Sequence, residues 1–397
     1  MTSTEPSPDE IAARKPRNAL EESTWWWLSG LVTLVLAALL CAAWISMSHY
    51  ESEPLQLTNQ ETLDNFLTEN MKPVDQGIAQ PVRVPTGLFL QSMKFLSSTE
   101  VSVSGYLWQR YTDGTNDQIK PAPGAAAGFI LPDQVDSGAD INPREVYRIR
   151  QGKEEVIGWY FEANLRQPFD YSRYPFDHKT VWVHLWPRDF AGNVVLTPDF
   201  AAYSSTGSEA MFGIDKDIVL GTWVRENTYF DYKLSSYDTN FGIDNFVGQT
   251  DFPDLRYNVV VKRKSANAFI VYLLPLFLVA ALLFSTLLIV TARPKLVARH
   301  GFSTSGSLGT CAALFFVVLL AHVQLREQFA GSGIVYLERF YLLMYASLAL
   351  AAVNTYLFSV HAGRWLTIVH YRDNLFPKLL YWPVTLACMV VITAVSM

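Results

Sequence analysis

The chain has 397 residues, 50% of them hydrophobic, with 37 acidic against 31 basic side chains and a formal net charge of −6. That balance argues against nucleic acid as a partner, and it is unevenly spread: positions 48–262 hold 29 acidic and 18 basic residues, the remainder 8 and 13. An acidic soluble domain joined to an apolar, mildly basic remainder is the pattern of a membrane protein with an external domain.

The first 24 residues, with Pro6, Pro8 and Pro16 and few apolar positions, read as a disordered cytoplasmic tail carrying Arg14, Lys15 and Arg17. An uncharged run over 25–47 follows, long enough to cross a hydrocarbon core of ~30 Å at ~1.5 Å per residue. Trp25, Trp26 and Trp27 suit the headgroup level as an interfacial anchor. The run exceeds the ~7–15 apolar residues of a cleaved signal peptide, which favours a retained helix. Residues 48–80 read as a linker with one short helix near Glu61 and Leu67.

Positions 81–264 read as β. Val101, Val103, Gly105 and Leu107 alternate with Ser102, Ser104, Tyr106 and Trp108, and Val181, Val183 and Leu185 alternate with Trp182, His184 and Trp186. A period of two puts one set on a packed face. Pro and Gly gather at 121–128, 132–143 and 207–213 as loops would, and short strands at this spacing predict a sandwich or barrel.

Four more apolar runs, 269–292, 308–325, 334–358 and 379–397, each approach the ~17–25 residues of a spanning helix. Basic clusters precede the first of the five runs, lie between the second and third (Arg293, Lys295, Arg299) and between the fourth and fifth (Arg364, Arg372, Lys378). All three share one side if every run spans, which by the positive-inside rule is the cytoplasm. The expected fold is an N-terminal transmembrane helix, an external β-sandwich at 81–264 and a four-helix transmembrane bundle at 265–397.

Cys41, Cys311 and Cys388 all lie in apolar runs and read as small packing residues, leaving the external domain without a disulfide framework. No metal-ligand spacing and no cofactor motif is present. Outside the membrane the histidines are His49, His178 and His184, which form no recognisable constellation in sequence, so no enzyme is expected.

The segment Phe169-Asp170-Tyr171-Ser172-Arg173-Tyr174-Pro175-Phe176-Asp177 resembles the turn before the seventh strand of pentameric ligand-gated ion channels, the Cys-loop receptor superfamily, in its bacterial branch. Pro81-Val82-Arg83-Val84-Pro85-Thr86-Gly87 through Trp108 resembles the first two strands of that family's external domain. Lys262-Arg263-Lys264 followed by Tyr272-Leu273-Leu274-Pro275 resembles its entry into the first bundle helix. The similarity covers 81–397 and rests on the combination, because each motif alone is weak.

The resemblance implies a homo-oligomer, a pentamer, in contact with lipid in a bacterial inner membrane, with the β-domain periplasmic or extracellular and the N-terminus cytoplasmic. It implies an external small ligand or a proton that opens a pore lined by the helix 308–328. With His322 as the reference, the pore positions are Ala313, Val317, Leu320, Gln324 and Glu327, which share one helix face. Tyr174, Pro175, Phe176 and Asp177 match the coupling turn, which would push on residues 329–334. Tyr237, Phe241, Phe246 and Phe252 in the loop 235–256 match the aromatic ligand loop, where they can contact a ligand or pin the loop to its own sandwich.

His322 reads either as a neutral imidazole donating to a neighbouring carbonyl or as a proton sensor. The chain departs from the family in its extra N-terminal helix, a long stretch at 197–221, no cysteine pair, and no Asp, Glu, Lys or Arg between Arg299 and Arg326. An apolar face of that kind suits a hydrophobic gate and equally a non-conducting sensor or assembly protein of the same fold.

Overall fold

The computed structural model describes residues 8–49, 56–70, 82–112, 127–135, 143–188, 194–206, 211–243, 252–329, 332–360 and 367–397. They fall into two compact units. One comprises Tyr50–Asp170 and His178–Lys264; the other comprises Met1–His49, Tyr171–Asp177 and Ser265–Met397.

The first unit is sandwich-like. Its strands are β1 (Val82–Phe95), β2 (Glu100–Thr112), β3 (Phe129–Ile130), β4 (Gln134–Val135), β5 (Arg144–Gln151), β6 (Glu154–Arg166), β7 (His178–Pro187), β8 (Val194–Pro198), β9 (Trp223–Ser235) and β10 (Phe252–Arg263). They form a six-stranded sheet in the order β4-β6-β2-β1-β8, with β5 also on β6, and a four-stranded sheet in the order β3-β7-β10-β9. Strict alternation explains the arrangement: in β2 Val101, Val103, Gly105, Leu107 and Gln109 are buried and the residues between them half-exposed. Val181, Val183 and Leu185 of β7 are buried in the same core as Leu88, Leu107, Ile157, Tyr257 and Val259.

Gly213 shows what the core demands of the backbone. Its φ is +67° and a Cβ there would sit 2.8 Å from the carbonyl oxygen of Leu88, so neither the conformation nor the space admits a side chain.

Within the stretch 48–80, expected to be a linker with one short helix, the described residues 56–70 contribute to this core. Leu57 donates its N–H to the carbonyl of Phe230 at 2.8 Å. Helix α2 (Gln60–Asn70) starts where the Asn59 Oδ1 accepts the N–H of Thr62 at 2.8 Å. Its Leu63 and Leu67, one turn apart on the same face, are both buried, and Phe66 stacks on Tyr232 at 5.2 Å. The helical spacing was visible in sequence; the partner surface was not.

The second unit holds α1 (Pro8–Met47), α3 (Ser265–Ile289), α4 (Pro294–His300), α5 (Thr304–Gln328), α6 (Tyr336–Ser359) and α7 (Leu375–Ser396). Among the described residues five segments are long and apolar enough to cross a membrane, Glu22–Met47, α3, α5, α6 and α7, which is the pattern of a membrane protein. A π-type turn at Phe269–Leu273 interrupts α3 just before Pro275, whose missing N–H leaves the preceding carbonyls free to rearrange. Helix α4 stops at Gly301 in the left-handed conformation, and α5 restarts with the Ser303 hydroxyl accepting the N–H of Gly306 at 3.1 Å. Glu338 reaches back to the N–H of Val335 at 2.9 Å and opens α6 in the manner of a capping box. Helix α1 packs along α7, where the Ser29 hydroxyl donates to the carbonyl of Leu379 at 2.6 Å.

Candidate functional sites

In the β-unit, the two aromatic residues nearest the start of the β9–β10 connection meet a tryptophan from the end of β7. Trp186 and Tyr237 lie 5.6 Å apart at 88°, Trp186 and Phe241 6.4 Å at 78°, and Tyr237 and Phe241 5.6 Å at 67°. The strand register explains the meeting: β7 and β10 are neighbours with His184 opposite Arg256, so Trp186 and Asp254 come together one step further along the same face. Beneath the rings, Asp254 is buried and its Oδ2 accepts the Tyr237 hydroxyl at 3.1 Å.

His184 stands between two carboxylates. Its Nδ1 is 3.6 Å from Asp133 Oδ2 and its Nε2 is 3.3 Å from Asp254 Oδ2. The Nε2 contact lacks hydrogen-bond alignment and is chiefly electrostatic. Asp133 also accepts the Trp182 indole N–H at 3.0 Å. Burial lowers the pKa of His184, but the carboxylates of Asp133 and Asp254 outweigh it and the imidazole ends above its ordinary value. Burial raises the pKa of Asp133, and the bonds from His184 and Trp182 more than reverse this, leaving it depressed. Tyr237 is pushed up to about 12, first by burial and then by the nearby acids. Three π faces above the buried Asp254 carboxylate can receive a cation or a ring.

A pH dependence follows from these directions. The contribution of His184 is fully present below its ordinary value of 6.5 and is lost as pH rises through its raised folded value. The contribution of Asp133 is present above its ordinary value of 3.8 and is lost as pH falls through its depressed folded value. This cluster therefore stabilises the protein most between pH 3.8 and 6.5. Each unit of elevation at His184 contributes about 1.4 kcal/mol, reduced by whatever solvent reaches the ring. Thermal unfolding from pH 5.5 to 8.5 should show a decline that His184→Gln flattens; an unchanged slope in the variant would contradict the assignment.

The other aromatic candidates of the loop 235–256 fare differently. Phe246 lies outside the described residues. Phe252 is not a loop residue: it opens β10 opposite Ser235 and packs against the sandwich core, because the strand pairing begins there. Trp186, His184, Asp133 and Asp254 were missed in sequence. The period of two already put Trp182, His184 and Trp186 on one face of β7, but nothing local ties them to acids 50 or more positions away.

In the helical unit, α5 buries Ser307, Cys311, Leu314, Val318 and Leu325 against its neighbours. Ala313, Val317, Leu320, Gln324 and Glu327, the positions matched to a pore, are all exposed on the single chain, Leu320 at 66%. The exposed surface is wider than that stripe, since Phe316 is 61% exposed beside it. Leu319 is half-buried.

His322 turns from that surface towards α6. Its ring stacks on Tyr341 at 5.4 Å, its Nδ1 is 3.2 Å from the Tyr345 hydroxyl, and its Nε2 is 3.7 Å from Glu338 Oε1. Its partners are thus side chains of α6, where a backbone carbonyl was one of the expectations. Arg326 bonds both carboxylate oxygens of the buried Glu338 at 3.3 Å and the carbonyls of Gly333 and Ser332 at 3.0 and 3.1 Å. His322, Arg326 and Glu338, with Val323, Ile334 and Leu342, line a cavity of about 410 Å³.

The segment Tyr171–Asp177, which joins β6 to β7 in sequence, belongs to the helical unit. Tyr174 packs on Phe329 at 4.5 Å and Tyr272 at 6.3 Å, and a cis peptide links it to Pro175. Phe176 packs on Phe269, Trp44 and Tyr336, and the Ser172 carbonyl accepts the N–H of Tyr336 at 2.9 Å. Tyr174, Phe176 and Asp177 are all buried. Among the described residues no group of His, Cys, Asp and Glu is arranged to hold a metal ion. Neither a protein-family model nor a curated protein matches the sequence.

Proposed function

We propose that the chain is one subunit of a homopentameric ligand-gated ion channel of a bacterial inner membrane, with the β-unit outside and the N-terminus in the cytoplasm. The observation that carries this reading is the position of Tyr171–Asp177. This connection between two strands is itself part of the helical unit, and its contacts fall on Phe329 and Tyr336, at either end of the α5–α6 connection. A displacement of β6 and β7 would thereby be felt where the pore helix turns into the next.

Two further features support it. The face of α5 matched to the pore is exposed on the single chain, as a surface turned to an axis shared by several copies requires. Val317 and Leu320 would form stacked apolar rings able to close a pore by dewetting. The ligand site in this reading is the aromatic cluster of Trp186, Tyr237 and Phe241 above Asp254, open to a small ligand or sensitive to protons through His184.

A second reading, a non-conducting sensor or assembly protein, draws on the absence of Asp, Glu, Lys and Arg between Arg299 and Arg326. Ion flux decides between them. Purified protein in liposomes should release trapped potassium above the protein-free background when external pH is stepped from 8 to 4. Background flux at every pH from well-assembled protein would favour the sensor.

A further inference from the structure

We propose that α1, the helix absent from the family the chain resembles, is a built-in regulator whose Trp44 is a positioning residue: it holds the Tyr171–Asp177 segment against α6 and α7 and sets how readily that segment moves. The regulatory half of this proposal rests on the channel reading above; the physical hold does not.

One residue gathers four segments. The indole N–H of Trp44 donates to the hydroxyl of Tyr336 at 2.7 Å. That hydroxyl also lies 2.6 Å from the Thr393 hydroxyl of α7, and the Tyr336 N–H bonds the Ser172 carbonyl at 2.9 Å. Tyr336 and Thr393 are fully buried. Helix α1, helix α6, helix α7 and the segment thus meet at a single residue, Tyr336, the first three through its hydroxyl and the segment through its backbone N–H.

The rings reinforce the polar chain. Trp44 packs edge-on to Phe269 at 5.3 Å and against Phe176 and Phe340 at 6.0 and 6.5 Å, while Phe176 in turn meets Phe269 and Tyr336 at 5.8 and 6.3 Å. An aromatic cluster with perpendicular and tilted contacts has a restricted set of packings, so displacing Phe176 requires Trp44 to move with it.

The rest of α1 has the opposite character. Trp27, Leu31, Leu34 and Ile45 are more than half exposed, as lipid-facing residues of a peripheral helix would be. A helix held in the bilayer on one side and pinned to the segment by one tryptophan is placed to pass changes in lipid or in the N-terminal region to the segment.

Hydrogen exchange on the full-length protein in detergent, followed at peptides covering 171–177 and the start of α6, reads the hold. Trp44→Phe keeps a ring and removes the donor; Tyr336→Phe keeps the ring and removes the hydroxyl. Trp44→Phe is expected to speed exchange of the Tyr336 amide about fivefold, the factor a hydrogen bond of about 1 kcal/mol supplies, and Tyr336→Phe, which also loses the Thr393 bond, by at least as much. The double variant should match Tyr336→Phe alone, because the bond that Trp44→Phe removes is already lost there, together with the one to Thr393. Leu34→Ala, on the lipid side of α1, should change nothing. Exchange unaltered by both single variants, or additive in the double variant, would overturn the hold.

The same variants in liposomes should raise resting potassium release about fivefold. Wild-type flux that responds to pH but is unmoved by either variant would overturn the regulatory role. Faster exchange with background flux in every form would leave the hold standing and remove the channel reading.

Discussion

Leu320→Ser is expected to raise resting potassium release from liposomes at least tenfold over wild type, a change of about 1.4 kcal/mol in the barrier. On the channel reading, five copies of Leu320 face one axis. Replacing each isobutyl group by a hydroxymethyl widens the ring and gives water a hydrogen-bonding partner, so a continuous water column costs less to form. Leu319→Ala is the matched control. One position back, its side chain is rotated by about 100° and half-buried against the bundle, so it should cost about 1–3 kcal/mol of packing and leave flux near wild type. Equal, background-level flux in both well-assembled variants would remove the assignment of the face containing Val317 and Leu320.

Arg326→Met should be among the most destabilising single changes in the helical unit. Glu338 is 3% exposed, and Arg326 supplies the guanidinium that bonds both of its oxygens. Removing one partner of a buried pair leaves an uncompensated carboxylate, which costs about 3–5 kcal/mol in a dry interior. The Arg326 side chain is 46% exposed and a cavity opens beside it, so about 2–4 kcal/mol is expected. Glu338→Gln, which keeps an acceptor for Val335 and drops the charge, should cost about half as much. Thermal midpoints of the purified variants measure this: a drop of several degrees for Arg326→Met is expected, and a midpoint within a degree of wild type would show the pair to be dispensable.

Sequence made some of this architecture legible because the relevant physics is local. The alternation in β2 and β7 is a period of two that any half-buried strand must show, and 101–109 bury odd positions as that period requires. The five long apolar helices were legible from length and apolarity alone. Non-local facts were not. Leu63 and Leu67 advertised a helix face but not the sandwich core they enter. His184 looked isolated because its carboxylates come from the approach to β4 and from β10, brought together by strand pairing that no spacing encodes. Phe252 looked like a loop aromatic because the resemblance extends the ligand loop over 235–256, yet the ladder with β9 already includes it. Trp44 sat near the end of an apolar run, where an interfacial anchor is the usual role, and only the fold reveals the hydroxyl of Tyr336 waiting for its indole.

On the channel reading several copies of α5 surround one axis. Imaging purified, detergent-solubilised particles and counting their symmetry tests it most directly. Five-fold particles with Val317 and Leu320 of every copy lining the axis are expected. Monomers, another symmetry, or a five-fold ring with α5 turned away from its axis would contradict it.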